Sequence, residues 1–160
     1  LVYSDLVQRW ISPKKGRAQV AAILDAIHDL EAEPVESDPA RATGHLTSKW
    51  TKRSLVVVFT DAETEDQGKS LAVALNSLAK RHLVLVVRVS DPRLRELKTM
   101  PVKEANDVYL KAAAAIYSEE RARASRALFT SGLENLESEP EDLSAKLVSA
   151  YLRVKELNLI

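Results

Sequence analysis

Leu55-Val56-Val57-Val58-Phe59-Thr60-Asp61 is the stretch that decides the fold. Five consecutive apolar residues, with β-branched valines at the centre, leave no polar face for water. The segment therefore reads as a strand covered on both faces, as in a parallel sheet. Thr60-Asp61 marks its carboxyl end. Leu83 to Val89 repeats the pattern and reads as a second doubly buried strand. Gln67 to Arg81 lies between them with helical spacing, so the three segments form a strand, a crossover helix and a parallel strand.

The same reading extends outward in both directions. Leu1-Val2-Tyr3 reads as the end of a strand, Ser4-Asp5 as a turn and Leu6–Ile11 as a short partner strand. Ala18 to Leu30 carries Val20, Ile23, Leu24, Ile27 and Leu30 on one stripe and reads as an amphipathic helix. Asp38-Pro39 supplies a cap and a first-turn proline for a helix to about Trp50. Asp91-Pro92 does the same for a short helix to about Lys98. Glu104 to about Thr130 reads as one long helix, with Gly132 placed to end it. Gly132–Glu137 reads as a weak strand, and Pro140 opens a last helix to about Leu157. The small-residue run Ala112–Ala115 on the long helix is read as core packing. The alternation of strands and helices predicts an α/β domain: a three-layer, mostly parallel sheet flanked by helices.

Composition narrows the function. Apolar residues make up 46% of the 160 and charged residues 29%, a globular balance. The 23 Lys+Arg cancel the 23 Asp+Glu, which disfavours sequence-independent nucleic-acid binding. Absence of Cys excludes a disulfide framework, a thiolate nucleophile and a Cys-type zinc site. Four glycines are too few for a Gly-rich phosphate loop, and neither the Walker A nor the dinucleotide fingerprint occurs. A nucleophile elbow is also missing. No apolar run approaches the roughly 20 residues that span a bilayer. The first residue is Leu1 rather than Met, so the chain is expected to begin inside a longer reading frame or after processing.

Ligands in open α/β sheets bind beyond the carboxyl ends of the parallel strands. That rule selects Ser4-Asp5, Thr60-Asp61 and Ser90-Asp91. Asp61 is the sharpest candidate, with Glu63, Glu65 and Asp66 close behind it. Oxygen ligands at a strand end suit a hard cation such as Mg²⁺. The plain alternative is that Asp61 caps a turn and the acids are solvated. Asp91 reads as a helix cap. His28, His45 and His82 have no metal-type spacing and read as structural or solvated.

An ordered set of segments resembles a known family. They are Pro13-Lys14-Lys15-Gly16-Arg17-Ala18-Gln19, Pro34-Val35-Glu36-Ser37-Asp38, Ser54–Asp61 and Arg81-His82-Leu83-Val84-Leu85-Val86. Asp107-Val108-Tyr109 with the alanine run follows, then Pro140-Glu141-Asp142-Leu143-Ser144, then Tyr151-Leu152 and Lys155. Together they resemble the bacterial proteins called domain of unknown function 58, whose shared part is similar to a von Willebrand factor A domain. The resemblance implies a Rossmann-like fold over residues 1–160 as a single domain, an N-terminally truncated fragment lacking the first central strand. It implies a protein-interaction role beside a MoxR-type AAA+ ATPase in assembly or maturation, without enzymatic activity. It also implies a metal-ion-dependent adhesion site, with Asp61 as the third-loop Asp and Ser37 where a Thr is expected.

The principal Asp-x-Ser-x-Ser loop of such a site is missing from the chain. Mg²⁺ or Mn²⁺ is therefore expected in the complete parent, and no cation is expected in this piece alone. A cytoplasmic location, or the cytoplasmic face of a membrane, follows from the same resemblance. Without a central strand, either Leu1–Tyr3 should close the edge of Leu55–Phe59 or two chains should pair into a dimer through strand edges. The rival function is a metal-assisted hydrolase or phosphoryl-transfer domain using the acids from Asp61 to Asp66; a purely structural module is the third.

Overall fold

A computed structural model describes residues 1–31, 34–130 and 133–160. The chain forms two compact units, Leu1–Thr51 and Lys52–Ile160.

In the first unit, β1 (Val2–Tyr3) and β2 (Val7–Arg9) form a short antiparallel ladder. Helix α1 (Arg17–His28) and helix α2 (Pro39–Lys49) follow. Asp38 caps α2 as its sequence predicts: the side chain accepts the Arg41 N–H at 2.9 Å, and Pro39 occupies the first turn. The Asp38 N–H donates to the Ser4 carbonyl at 2.8 Å, fixing the start of α2 beside the β1–β2 turn. Trp10 meets His45 edge-on, with ring centroids 5.5 Å apart. The apolar stripe of α1 (Val20, Ile23, Leu24 and Ile27) is exposed rather than core.

The second unit is the α/β domain foreseen from the pattern. Strands β3 (Leu55–Phe59), β4 (Leu83–Val89) and β5 (Glu134–Ser138) form a parallel sheet in the order β3-β4-β5. Register pairs Val57 with Leu85 and Leu85 with Glu134. Helices α3 (Glu65–Ala79), α4 (Pro92–Thr99), α5 (Ala105–Thr130) and α6 (Pro140–Glu156) flank it. The architecture is a Rossmann-like α/β sheet, as expected.

The two apolar runs differ in burial. β4 is central, and Val84 to Arg88 are all buried. β3 is an edge strand of the described sheet, and Val57 and Phe59 remain 37% and 57% exposed. A continuous apolar run is compatible with either position, so pattern alone overstates the cover of β3. β1 spends its hydrogen bonds on β2, and the three-stranded sheet contains no β1.

α3 and α5 pack on each other and supply most of the core: Leu71, Leu75 and Leu78 from α3, and Ala124 and Leu128 from α5. Close approach is set by Gly68 of α3 against the Ala124 backbone. The alanine run was expected to serve this purpose, but only Ala114 of Ala112–Ala115 is buried. A buried helix stripe falls every three or four residues, so four adjacent alanines cannot all face inward. Gly132, read as the stop of α5, lies outside the described residues. No helix among the described residues is long and apolar enough to cross a membrane.

Candidate functional site

Because β3, β4 and β5 are parallel, their carboxyl ends come to one edge of the sheet. Thr60-Asp61 follows β3, Ser90-Asp91 follows β4, and Ser138-Glu139 lies at the end of β5. The last pair went unnoticed in the sequence because β5 was placed one residue short.

Asp61 is exposed on a short loop that is held at both ends. The Ala62 N–H donates to Thr60 Oγ1 at 3.2 Å. The N–H groups of Glu63 and Thr64 both donate to Gln67 Oε1, at 2.9 and 3.3 Å. Thr64 Oγ1 accepts the Gln67 N–H in return, completing a capping box that starts α3 at Glu65. The spacing Thr64-x-x-Gln67 is a legible signal for this start, two residues before the one expected.

Behind the loop lies a polar group that sequence reasoning missed. The Tyr117 hydroxyl, on α5, donates to the Glu63 carboxylate. One turn further along α5, the Arg121 guanidinium lies 5.9 Å from the centre of the Tyr117 ring. Arg121 Nη2 also donates to the Val89 carbonyl at 3.1 Å and pairs with Glu137 at 3.4 Å. Arg88 of β4, only 2% exposed, donates through Nη1 to the Arg121 carbonyl at 3.2 Å. Its Nε and Nη2 have no hydrogen-bond partner among the described residues. Burial pushes the Arg88 pKa down, Glu137 opposes that shift, and Arg121 adds to it. Burial also pushes the Tyr117 hydroxyl above its ordinary value, with the Glu63 carboxylate adding to the rise.

A cleft of about 400 Å³ opens beside this group, between α4 and α5 at the ends of β4 and β5. Its polar lining includes Arg95, Lys98, Arg121, Glu137 and Glu139, and Arg95 and Glu139 are paired at 2.7 Å. Asp91 caps α4 by accepting the Arg93 N–H at 2.9 Å, as its sequence predicts. Asp61 does not line this cleft.

Ser37 is exposed in the loop before α2 and belongs to the first unit, whereas Asp61 belongs to the second. Glu65 is tied to Lys69 at 2.7 Å, which lowers its carboxyl pKa. Among the described residues, no group of three or more His, Asp or Glu side chains is arranged to hold a metal ion. Of the histidines, His82 is buried at 3% exposure beside the start of β4, His45 contacts Trp10, and His28 is exposed.

A model of the family described as protein of unknown function DUF58 matches residues 1–134. No curated protein and no solved structure matches the chain. The match begins at the first residue and covers most of the chain, including β3, β4 and the loop that carries Asp61. The chain therefore belongs to the DUF58 family of proteins of unknown function.

Proposed function

We propose that this chain is a non-enzymatic protein-interaction domain of von Willebrand A type, whose contact edge is the carboxyl end of the parallel sheet. Asp61 is the residue through which a partner is engaged. In the complete parent a divalent cation, Mg²⁺ or Mn²⁺, bridges Asp61 to an acidic side chain of the partner. A MoxR-type AAA+ ATPase is the partner that the family resemblance suggests.

One observation carries this reading. Asp61 is presented to solvent at the strand end on a loop whose next three N–H groups are each held by a side-chain acceptor. A carboxylate on such a loop can meet a large surface without rearrangement, which lowers the ordering cost of binding. Its open setting suits a bridging contact better than a reaction that must exclude water.

Titration of Mn²⁺ into the complete parent protein, followed by water-proton relaxation or calorimetry, tests the reading. Asp61→Ala should weaken cation binding by at least about tenfold, the order of loss expected when an oxygen ligand or its support is removed. Unchanged affinity in Asp61→Ala removes the site.

A further inference from the structure

The hydrogen bond between Tyr117 and Glu63 ties the loop ahead of α3 to α5, beyond the Gly68–Ala124 crossing where the two helices pack. Glu63 stands two residues after Asp61, and its own N–H is already committed to Gln67. Its side chain is directed away from solvent onto α5, where the Tyr117 hydroxyl donates to it. Tyr117 is itself fixed. Arg121 covers its ring and is anchored in turn to the Val89 carbonyl and to Glu137. Arg88 then holds the Arg121 carbonyl from below. The loop after β3 is thus connected to the ends of β4 and β5 through the Tyr117 phenol, in addition to the Thr60 N–H that donates to the Val87 carbonyl at 3.1 Å.

We infer that Tyr117 is a positioning residue for the Asp61 loop, acting through Glu63. This deepens the reading of Asp61 as the contact residue and rests on it only where cation binding is concerned. The capping box fixes where α3 begins, but its bonds all lie within residues 63–67. The Glu63 side chain reaches outside that segment and sets the loop's placement over the sheet edge. Local opening of the loop must break the Tyr117 bond first, so the bond should appear as protection of the loop amides.

Hydrogen exchange at the Ala62, Glu63 and Thr64 amides tests this, with the β4 amides as an internal reference. Tyr117→Phe keeps the ring beneath Arg121 and removes only the donor. It should speed exchange of the three loop amides by about ten- to a hundredfold, the loss expected for one hydrogen bond to a charged acceptor, and leave Val84–Val87 unchanged. Glu63→Ala should have the same effect, and the double variant should be no worse than either single one, as for two halves of one interaction. Glu63→Gln keeps an acceptor and should recover most of the protection. Unchanged loop exchange in Tyr117→Phe, or additive effects in the double variant, would overturn the assignment. A general increase that includes β4 would overturn it too, because it would show that the hydroxyl supports the core rather than the loop. Mn²⁺ titration of the complete parent separates this inference from the one before it. If Asp61→Ala leaves cation affinity unaltered, the metal reading fails and the exchange result alone decides the role of Tyr117. If Asp61 binds the cation, Tyr117→Phe should weaken that binding severalfold with every carboxylate still present, and unaltered affinity would count against positioning.

Discussion

A single methyl group added at Gly68 tests the packing on which the second unit depends. An ideal Cβ there would stand 2.7 Å from the Ala124 carbonyl oxygen, 2.9 Å from its Cα and 3.1 Å from its carbonyl carbon. All three are backbone atoms of α5, and Ala124 is fully buried, so no side chain can turn aside to make room. Ordinary contact returns only if the helices separate by roughly 0.5–1 Å, a gap at which facing atoms forfeit a quarter to a half of their dispersion attraction. Leu71, Leu75 and Leu128 share that interface and would all lose contact. Overpacking of this kind costs about 1–3 kcal/mol, and the higher helix propensity of Ala returns about 1 kcal/mol. The shared leucines place the cost in the upper part of its range, so we expect Gly68→Ala to destabilise the unit by about 1–2 kcal/mol. For a unit of this size that corresponds to a fall in Tm of roughly 5–10 °C. Gly44→Ala is the control: Gly44 lies in α2 with nothing within 4 Å of an added Cβ, so the same substitution should stabilise by about 0.5–1 kcal/mol. Thermal unfolding followed by far-UV circular dichroism reads both effects. Fluorescence isolates the first unit, because both tryptophans, Trp10 and Trp50, lie within Leu1–Thr51. Ala124→Gly should fail to rescue Gly68→Ala, since the obstructing atoms are backbone. A Gly68→Ala protein that melts higher than wild type, or a rescue by Ala124→Gly, would refute the close-crossing argument.

Two further outcomes follow from the charged groups. The Asp107 carboxylate accepts the Lys103 and Glu104 N–H groups at 2.8 and 2.9 Å, and these bonds hold its pKa below the ordinary 3.8. Its support of the first turn of α5 is therefore complete above the ordinary value and is lost as pH falls through the depressed one. Amide shifts of Lys103 and Glu104 followed against pH should move only in that acid range, and a midpoint above the ordinary value would contradict the assignment. Arg88→Met replaces a buried guanidinium that leaves two nitrogens without partners by a flexible apolar chain of similar length. It should be neutral or stabilising within about 1 kcal/mol in urea unfolding, whereas a loss above about 3 kcal/mol would show that the buried charge is well compensated.

The fold was legible where hydrophobic period and capping chemistry agree. Leu83–Val87 has no polar residue and lies in the central strand; Asp38-Pro39 and Asp91-Pro92 open helices because each Asp accepts a backbone N–H and each Pro needs none. Legibility failed where an element's surroundings matter more than its own residues. Leu55–Phe59 reads like Leu83–Val87, yet it has a strand on one side only, a fact set by sheet order rather than by local pattern. The α1 stripe is as regular as any core stripe and is nonetheless exposed, because periodicity states which face is apolar and not whether anything covers it. Gly68 was passed over in favour of the alanine run, although one glycine on a helix face brings two backbones closer than several alanines spread around another.

For the candidate site, the sequence singled out the sheet edge and proposed Asp61 there, but did not identify the residues behind that loop. Glu63 and Tyr117 are 54 positions apart, and no local rule joins a loop acid to a tyrosine in mid-helix. Arg88 was the signal available in advance. A guanidinium inside Leu83–Val89, a run otherwise wholly apolar, cannot be buried without acceptors and counter-charge nearby. Its presence at the sixth position of the strand implies that the carboxyl end of β4 has a polar interior, and that later segments must supply it. The structure shows the suppliers: the Arg121 carbonyl from α5, with Glu137 of β5 in register beside Arg88. An isolated charge in a strand is thus a pointer across the fold, from β4 to α5 and β5. The Tyr117–Glu63 bond extends that polar interior from α5 to the loop carrying Asp61, so the edge that presents Asp61 is continuous with the polar groups around Arg88.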